Sequence, residues 1–247
     1  MTIDVTEIEA RAAELSASQP QHILAWAMET WAMELALSFS GAEDVLLIDM
    51  ASQTGLPFRV FSLDTGRLHP ETLAYMELVR QHYSVDIEIR CPDATEVQHL
   101  VTSKGLFSFL QDGHHECCGV RKVAPLRQQL AGLRAWATGQ RRDQSPTRVA
   151  LPVVQLDAAH GSAQRPLVKV NPLANWSSEQ VWRYIRGAGI PYNPLHERGF
   201  ISIGCAPCTR PILPGQHERE GRWWWEDATQ RECGLHATAS SDVAAGE

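Results

Sequence analysis

No run among the 247 residues approaches the roughly 18 consecutive apolar positions that a membrane-spanning helix requires. The opening MTIDVTEIEARAAEL is acidic, where a secretory signal would be basic and then apolar. Basic residues are also in deficit, with 22 Lys and Arg against 29 Asp and Glu and a net charge of -7. A nonspecific grip on nucleic acid or on an anionic membrane needs the opposite surplus, so neither is expected as a partner, and any anion must be held by a local cluster. Internal repeats and linker-like stretches are missing too. The expectation is a single catalytic domain over 1–236, followed by a small, polar, disordered end over 237–247. What remains is an ordinary globular composition, 44% hydrophobic and 21% charged, read here as that of a cytoplasmic protein.

The first 34 residues, around ILAWAMETW, repeat apolar positions at helical spacing and predict a covering helix. LALSFS (35–40), FRVFSLD (58–64) and VDIEI (85–89) read as strands, alternating with helices in GAEDVLLIDMASQTG and HPETLAYMELVRQHY. Further on, CCGVRKVAPLRQQLAG is mostly helical, LRAWATG (133–139) is a strand, and VVQLD and LVKVNPL are extended. SSEQVWRYIRGAG is a helix capped by Ser177 and closed by Gly187 or Gly189. Short strand–helix alternation predicts an α/β fold, a doubly wound, largely parallel sheet flanked by helices, with a loop-rich mobile carboxyl-terminal tail. Ligands of such sheets sit beyond the carboxyl ends of the strands.

SFSGAEDV places Ser38, Ser40 and Gly41 between a strand and a helix amino terminus, where free N–H groups and the helix dipole favour an anion. The stretch resembles the SGGxDS loop of the adenine-nucleotide alpha hydrolases, or PP-loop proteins. Ala42 and Val45 replace the second glycine and the final serine of that loop, which argues against ATP cleavage. WATGQRRDQSPTR carries Arg141, Arg142 and Arg148, and QHEREGRWWW adds His217, Arg219 and Arg222, together suggesting a small polyanionic ligand. The tryptophans 223–225 are read as core packing before any role in closing over such a ligand.

Six cysteines occur, at 91, 117, 118, 205, 208 and 233. Cys91, leaving a strand, is expected to be merely buried. Adjacent cysteines make a structural disulfide only through a strained ring, so GHHECCGVRK and GCAPC read as four thiolate ligands, Cys117, Cys118, Cys205 and Cys208. Tetrahedral zinc and a four-iron four-sulfur (4Fe-4S) cluster both remain open. Consecutive helical side chains diverge by about 100°, which suits neighbouring corners of a cube better than one small ion and favours the cluster. Lys122, four residues after Cys118, would offset the negative charge of such a site or hold an anionic substrate beside it. In RECGLH, Arg231 and His236 would favour a thiolate at Cys233, the nucleophilic form.

Taken in order, SFSGAEDV, LDTGRLHPET, ECCGVRK, WATGQRRDQS, PLANWSSEQVWRYI, GCAPC and ECGLH resemble the assimilatory adenylylsulfate (APS) reductases of bacteria and plants, over about residues 35–236. The same fold includes the phosphoadenylylsulfate (PAPS) reductases, which typically lack the four cluster cysteines. The resemblance implies a 4Fe-4S cluster on Cys117, Cys118, Cys205 and Cys208, and Cys233 as nucleophile. It implies adenine contacts near Leu63 and Gly139, and phosphosulfate contacts from Lys122, Arg148, Arg219 and Arg222. It also implies reduced thioredoxin or a glutaredoxin-like donor as partner; whether chains pair as a homo-oligomer is left open. The rival readings are a PAPS reductase carrying a cluster, an ATP-dependent PP-loop enzyme that adenylates or thiolates its substrate, and a non-enzymatic metal-binding module.

Overall fold

In the computed structural model, residues 5–145, 148–227 and Leu235 are described. Two helices, α1 (Val5–Leu15) and α2 (Pro20–Trp31), replace the one covering helix expected from the sequence. The break falls just before Pro20, which lacks an N–H to continue a helix but is well suited to open one. The chain then runs β1 (Leu35–Ser38), α3 (Ala42–Ser52), β2 (Arg59–Leu63), α4 (Pro70–Tyr83), β3 (Ile87–Arg90) and α5 (Ala94–Lys104). Next come α6 (His115–Cys118), a π-helical turn over Gly119–Val123, α7 (Ala124–Leu130), β4 (Ala135–Ala137), β5 (Val154–Leu156), β6 (Val168–Val170) and α8 (Ser178–Ala188).

The six strands order as β3-β2-β1-β4-β6-β5, parallel throughout except that β5 runs antiparallel to β6 at one edge. Side chains alternate across the sheet. Leu35 and Leu37 of β1 join Val60, Ala135 and Val168 in a large core under α2, α3, α4 and α8, while Ala36, Phe61 and Trp136 face Leu126 and Leu130 of α7 on the other side. Both faces are therefore covered, which is why the central strands are near-continuous apolar runs. The Ser177 hydroxyl caps α8 by accepting from the Gln180 N–H, and Gly189 ends it with φ 65°. Among the described residues, no helix is long and apolar enough to cross a membrane.

Cys91 corrects the sequence reading. It is exposed, just past the edge strand β3, whose last two residues, Ile89 and Arg90, are exposed as well. Helix α5 was not anticipated: it buries only Leu100, so it carries no apolar stripe for periodicity to find.

Candidate active site

A cleft of about 200 Å³ opens beyond the carboxyl ends of β1, β2 and β4. Ser38, Ser40, Gly41, Leu63, Lys122, Gly139, Arg148, Arg219 and Arg222, drawn from motifs far apart in the chain, all line it. Cys233 and His236 lie outside the described residues.

The loop at 38–44 is occupied from within. The Asp44 carboxylate accepts from the Ser40 N–H at 2.8 Å, the Ser40 hydroxyl at 2.8 Å, the Gly41 N–H at 3.2 Å and the Gly139 N–H at 2.8 Å. Donors that the sequence offered to an external anion are thus taken by a side chain of the same loop. Burial pushes the Asp44 carboxyl up to about 6, against those hydrogen bonds. Gly139 must be glycine for this approach, since a Cβ there would stand 2.6 Å from the Glu43 Cβ and 2.8 Å from an Asp44 oxygen.

Arg141 and Arg142 do not join the cleft's cations, contrary to the sequence reading. Arg141 is fully buried and paired with Glu43 at 2.9 Å, with Glu218 at 3.1 Å and with Asp143. Arg142 binds the Leu151 carbonyl and the Asn175 side chain. Arg148 does line the cleft, steadied by the Gln144 side chain at 2.6 Å. Burial raises the Glu218 carboxyl from its ordinary 4.5 to about 7, against the pull of Arg141. The folded chain keeps a proton there that the unfolded chain releases. The stability this proton contributes is complete below 4.5 and is lost as pH rises through about 7. Melting temperature is therefore expected to fall between about pH 5 and pH 8, and Glu218→Gln to flatten that slope. An unaltered slope in the variant would move the titration to another group.

Beside the cleft, the four predicted thiols converge. Cys117 and Cys118 come from α6, and Cys205 and Cys208 flank a single turn, with the Cys208 N–H bonded to the Cys205 carbonyl at 2.9 Å. They pack with Phe109, Trp223 and Trp225, and a void of about 10 Å³ among the thiols is also lined by Phe109, Arg67, His114, Arg121 and Lys122. The π-helical turn follows Cys118 directly, so Lys122 reaches the thiols from a widened turn and not from the regular helix assumed at first. Lys122 and Cys205 line both cavities.

The electrostatics of the four thiols differ. Burial would raise Cys205, but Lys122, a hydrogen bond with Thr65 at 3.2 Å, Arg222 and Arg121 together bring it below its ordinary value. Burial, reinforced by neighbouring Cys205, pushes Cys208 up to about 12. Burial also raises Cys117. Four thiolates here would repel one another unless positive charge stood between them.

The residues fit an iron–sulfur cluster. Arg67 Nη1, Arg121 Nε, Trp223 Nε1 and Trp225 Nε1 are buried donors around these thiols with no acceptor among the described residues, and cluster sulfurs accept hydrogen bonds. Among the described residues, no group of three or more Cys, His, Asp or Glu is drawn together as one metal ion would need. A four-iron cluster instead takes each thiolate at a separate iron.

Trp223, unexposed, ties the two cavities together. Its ring centroid lies 4.4 Å from the Arg222 guanidinium, 5.9 Å from that of Arg219 and 5.5 Å from the Lys122 ammonium. It also stacks on His114 at 4.1 Å, and the His114 Nδ1 meets Glu226 at 2.6 Å. Three of the cations expected to face the substrate thus share one indole. The sequence reading treated this tryptophan as packing and passed over Asp44, Glu43, Glu218 and His114, although His114 is visible in GHHECC and Asp44 in SGAED.

Residues 34–211 match the family model described as the phosphoadenosine phosphosulfate reductase domain. The chain is 58% identical over 232 residues to an adenosine 5'-phosphosulfate reductase of Pseudomonas aeruginosa, covering 94% of this chain and 87% of the relative. It is 55% identical to the chloroplastic 5'-adenylylsulfate reductase 1 of Arabidopsis thaliana, of which it spans 51%. Among solved structures, a PAPS reductase from Candida auris in complex with phosphate aligns with TM-score 0.71 at 27% identity, covering 85% of this chain and 99% of that one. An FMN adenylyltransferase from Candida glabrata aligns with TM-score 0.55 at 14% identity and shares the fold.

Proposed function

The chain belongs to the phosphoadenosine phosphosulfate reductase family, and from that membership we propose that it reduces APS to sulfite and AMP in sulfate assimilation, with Cys233 as nucleophile and a dithiol protein as reductant. The observation that carries this reading is Lys122, which lines both the cleft and the void among the four convergent thiols.

In the first step the Cys233 thiolate attacks the sulfur of APS. A sulfur–sulfur bond forms, the bond from sulfur to the phosphate oxygen breaks, and AMP leaves with the electron pair, giving an S-sulfocysteine. Lys122, Arg148, Arg219 and Arg222 hold the phosphosulfate and stabilise charge moving onto phosphate. In the second step a thiolate of reduced thioredoxin, or of a glutaredoxin-like donor, attacks the Cys233 sulfur and expels sulfite. The donor's second thiol then resolves the mixed disulfide and restores Cys233. The two electrons that take sulfur from sulfate to sulfite come from the donor's thiols.

Cys117, Cys118, Cys205 and Cys208 would hold a 4Fe-4S cluster, which supplies a compact, charged, hydrogen-bonding body beside the cleft. Lys122 and Arg121 offset thiolate charge there, and Lys122 carries that offset to the cleft wall. The four thiols, which the PAPS reductases typically lack, favour APS over PAPS as substrate. The setting we propose is the reducing cytoplasm, where free thiols persist.

Anaerobic incubation with APS or PAPS plus reduced thioredoxin tests the reading. Sulfite is expected from APS and little from PAPS. Faster release from PAPS would reassign the substrate, and a requirement for ATP would point to the adenylating alternative.

A further inference from the structure

Trp136 of β4 lines the cleft with Leu63 and Leu126, and around its indole stands a buried polar group that the proposed chemistry does not use. Asp157, just after β5, accepts from the Trp136 Nε1–H at 2.8 Å through one carboxylate oxygen. Its other oxygen accepts from the N–H groups of Ala159 and His160, each at 3.1 Å, and stands 3.2 Å from the His160 Nδ1. The Gly161 N–H closes this turn on the Asp157 carbonyl at 2.7 Å. On the neighbouring strand, Lys169 is in register with Trp136 and sets its Nζ 5.2 Å from the indole centroid. Trp136, Asp157 and Lys169 are all buried. Burial would raise the Asp157 carboxyl, but His160, Lys169 and the Trp136 N–H together bring it below its ordinary value.

A buried carboxylate and ammonium add little net stability over apolar residues of the same volume, because desolvation offsets their attraction. What they add here is direction. One oxygen of Asp157 is fixed by its own turn, so the other is fixed as well, and an indole whose N–H ends on it cannot tilt without losing a charge-assisted hydrogen bond. Leu63 packs against the buried group that contains Trp136, Phe61 and Leu126, so the indole's direction passes to the part of the cleft wall where adenine contacts are expected. We propose that Asp157 is a positioning residue for the nucleotide: by holding the Trp136 indole it sets the apolar wall of Trp136, Leu63 and Leu126 beside which the base lies. The proposal rests on the reading of the cleft as a nucleotide site given above.

The test compares the full-length protein with Asp157→Asn, Trp136→Phe and the double variant. Asparagine still accepts from the N–H groups of the turn but directs an amide NH2 at the indole donor, so the turn is kept and the link to Trp136 is cut. Asp157→Asn should weaken AMP binding and raise KM for APS about tenfold, the loss of one hydrogen bond to a charged group, with kcat within about twofold of the parent. Trp136→Phe should weaken AMP binding at least as much, and the double variant should match Trp136→Phe alone, because both substitutions cut one link. In protein labelled with fluorinated tryptophan, the fluorine resonance that vanishes in Trp136→Phe should shift or broaden in Asp157→Asn while the others hold. An unmoved Trp136 resonance, unchanged AMP affinity in either single variant, or additive losses in the double variant would each overturn the proposal. Should Asp157→Asn fail to fold, AMP affinity in Trp136→Phe decides it. If the parent binds AMP but releases no sulfite from APS, the functional reading falls while the AMP contrast still stands, so the two failures are separable.

Discussion

Cys233→Ser is expected to reduce sulfite release to background while leaving AMP binding and the brown colour of a bound cluster unchanged. A hydroxyl in place of the thiol cannot form the sulfur–sulfur bond, and neither serine nor water at that place regenerates a leaving group for the donor thiol to expel. The four thiols proposed to hold the cluster belong to other segments, so the variant keeps them. Mass spectrometry after APS treatment without reductant should find the added sulfonate on the parent's Cys233 peptide and nowhere in the variant. A sulfonate recovered on Cys91, or on any of the four clustered thiols, would defeat the assignment. Full turnover by the variant would defeat the chemistry itself.

The second large effect is on stability. Arg141→Met removes a fully buried cation with which the partly exposed carboxylates of Glu43, Glu218 and Asp143 all pair. Breaking a fully buried pair costs about 3–5 kcal/mol, and because solvent reaches all three carboxylates the loss here is expected at the lower end, about 3 kcal/mol. For a chain of this size that corresponds to a fall in melting temperature of about 6–12 °C. Combining Arg141→Met with Glu43→Gln and Glu218→Gln should recover much of the loss, because the repelling charges are then gone as well. The effect should extend to the cleft, since Glu218 adjoins Arg219 and its bond to Arg141 fixes that segment against the core, so a raised KM for APS is expected alongside. A melting temperature within a degree or two of the parent would show that the network is not what holds this wall.

The sheet was legible because its central strands are apolar on both faces; Leu35, Ala36 and Leu37 announce a buried strand without help from any partner. The capped ends of α8 were legible for the same local reason, a Ser177 before the helix and Gly189 after it. Helix α5 escaped because periodicity looks for an apolar stripe, although Asp93, accepting from the N–H groups of Thr95 and Glu96, marks its start. The convergence of the four thiols could be read directly, since paired cysteines where disulfides are not the default point to one shared site. Arg141 could not, because its partner Glu43 stands 98 residues away and Glu218 stands 77 away. An arginine in a motif looks the same whether it faces a ligand or three carboxylates. Asp44 was hidden differently: the loop was read for donors, and the acceptor that satisfies them is the loop's own side chain.

The widened turn after the adjacent cysteines has a practical consequence for anyone moving this element into another scaffold. A helix with one residue fewer in that turn would rotate everything downstream by about 100°. Grafting the two thiols alone would then aim the lysine away from the void it lines with the four thiols, and the recipient would gain the ligands without the cation that faces them. The transplantable unit is the irregular stretch from Cys117 through Val123, taken whole.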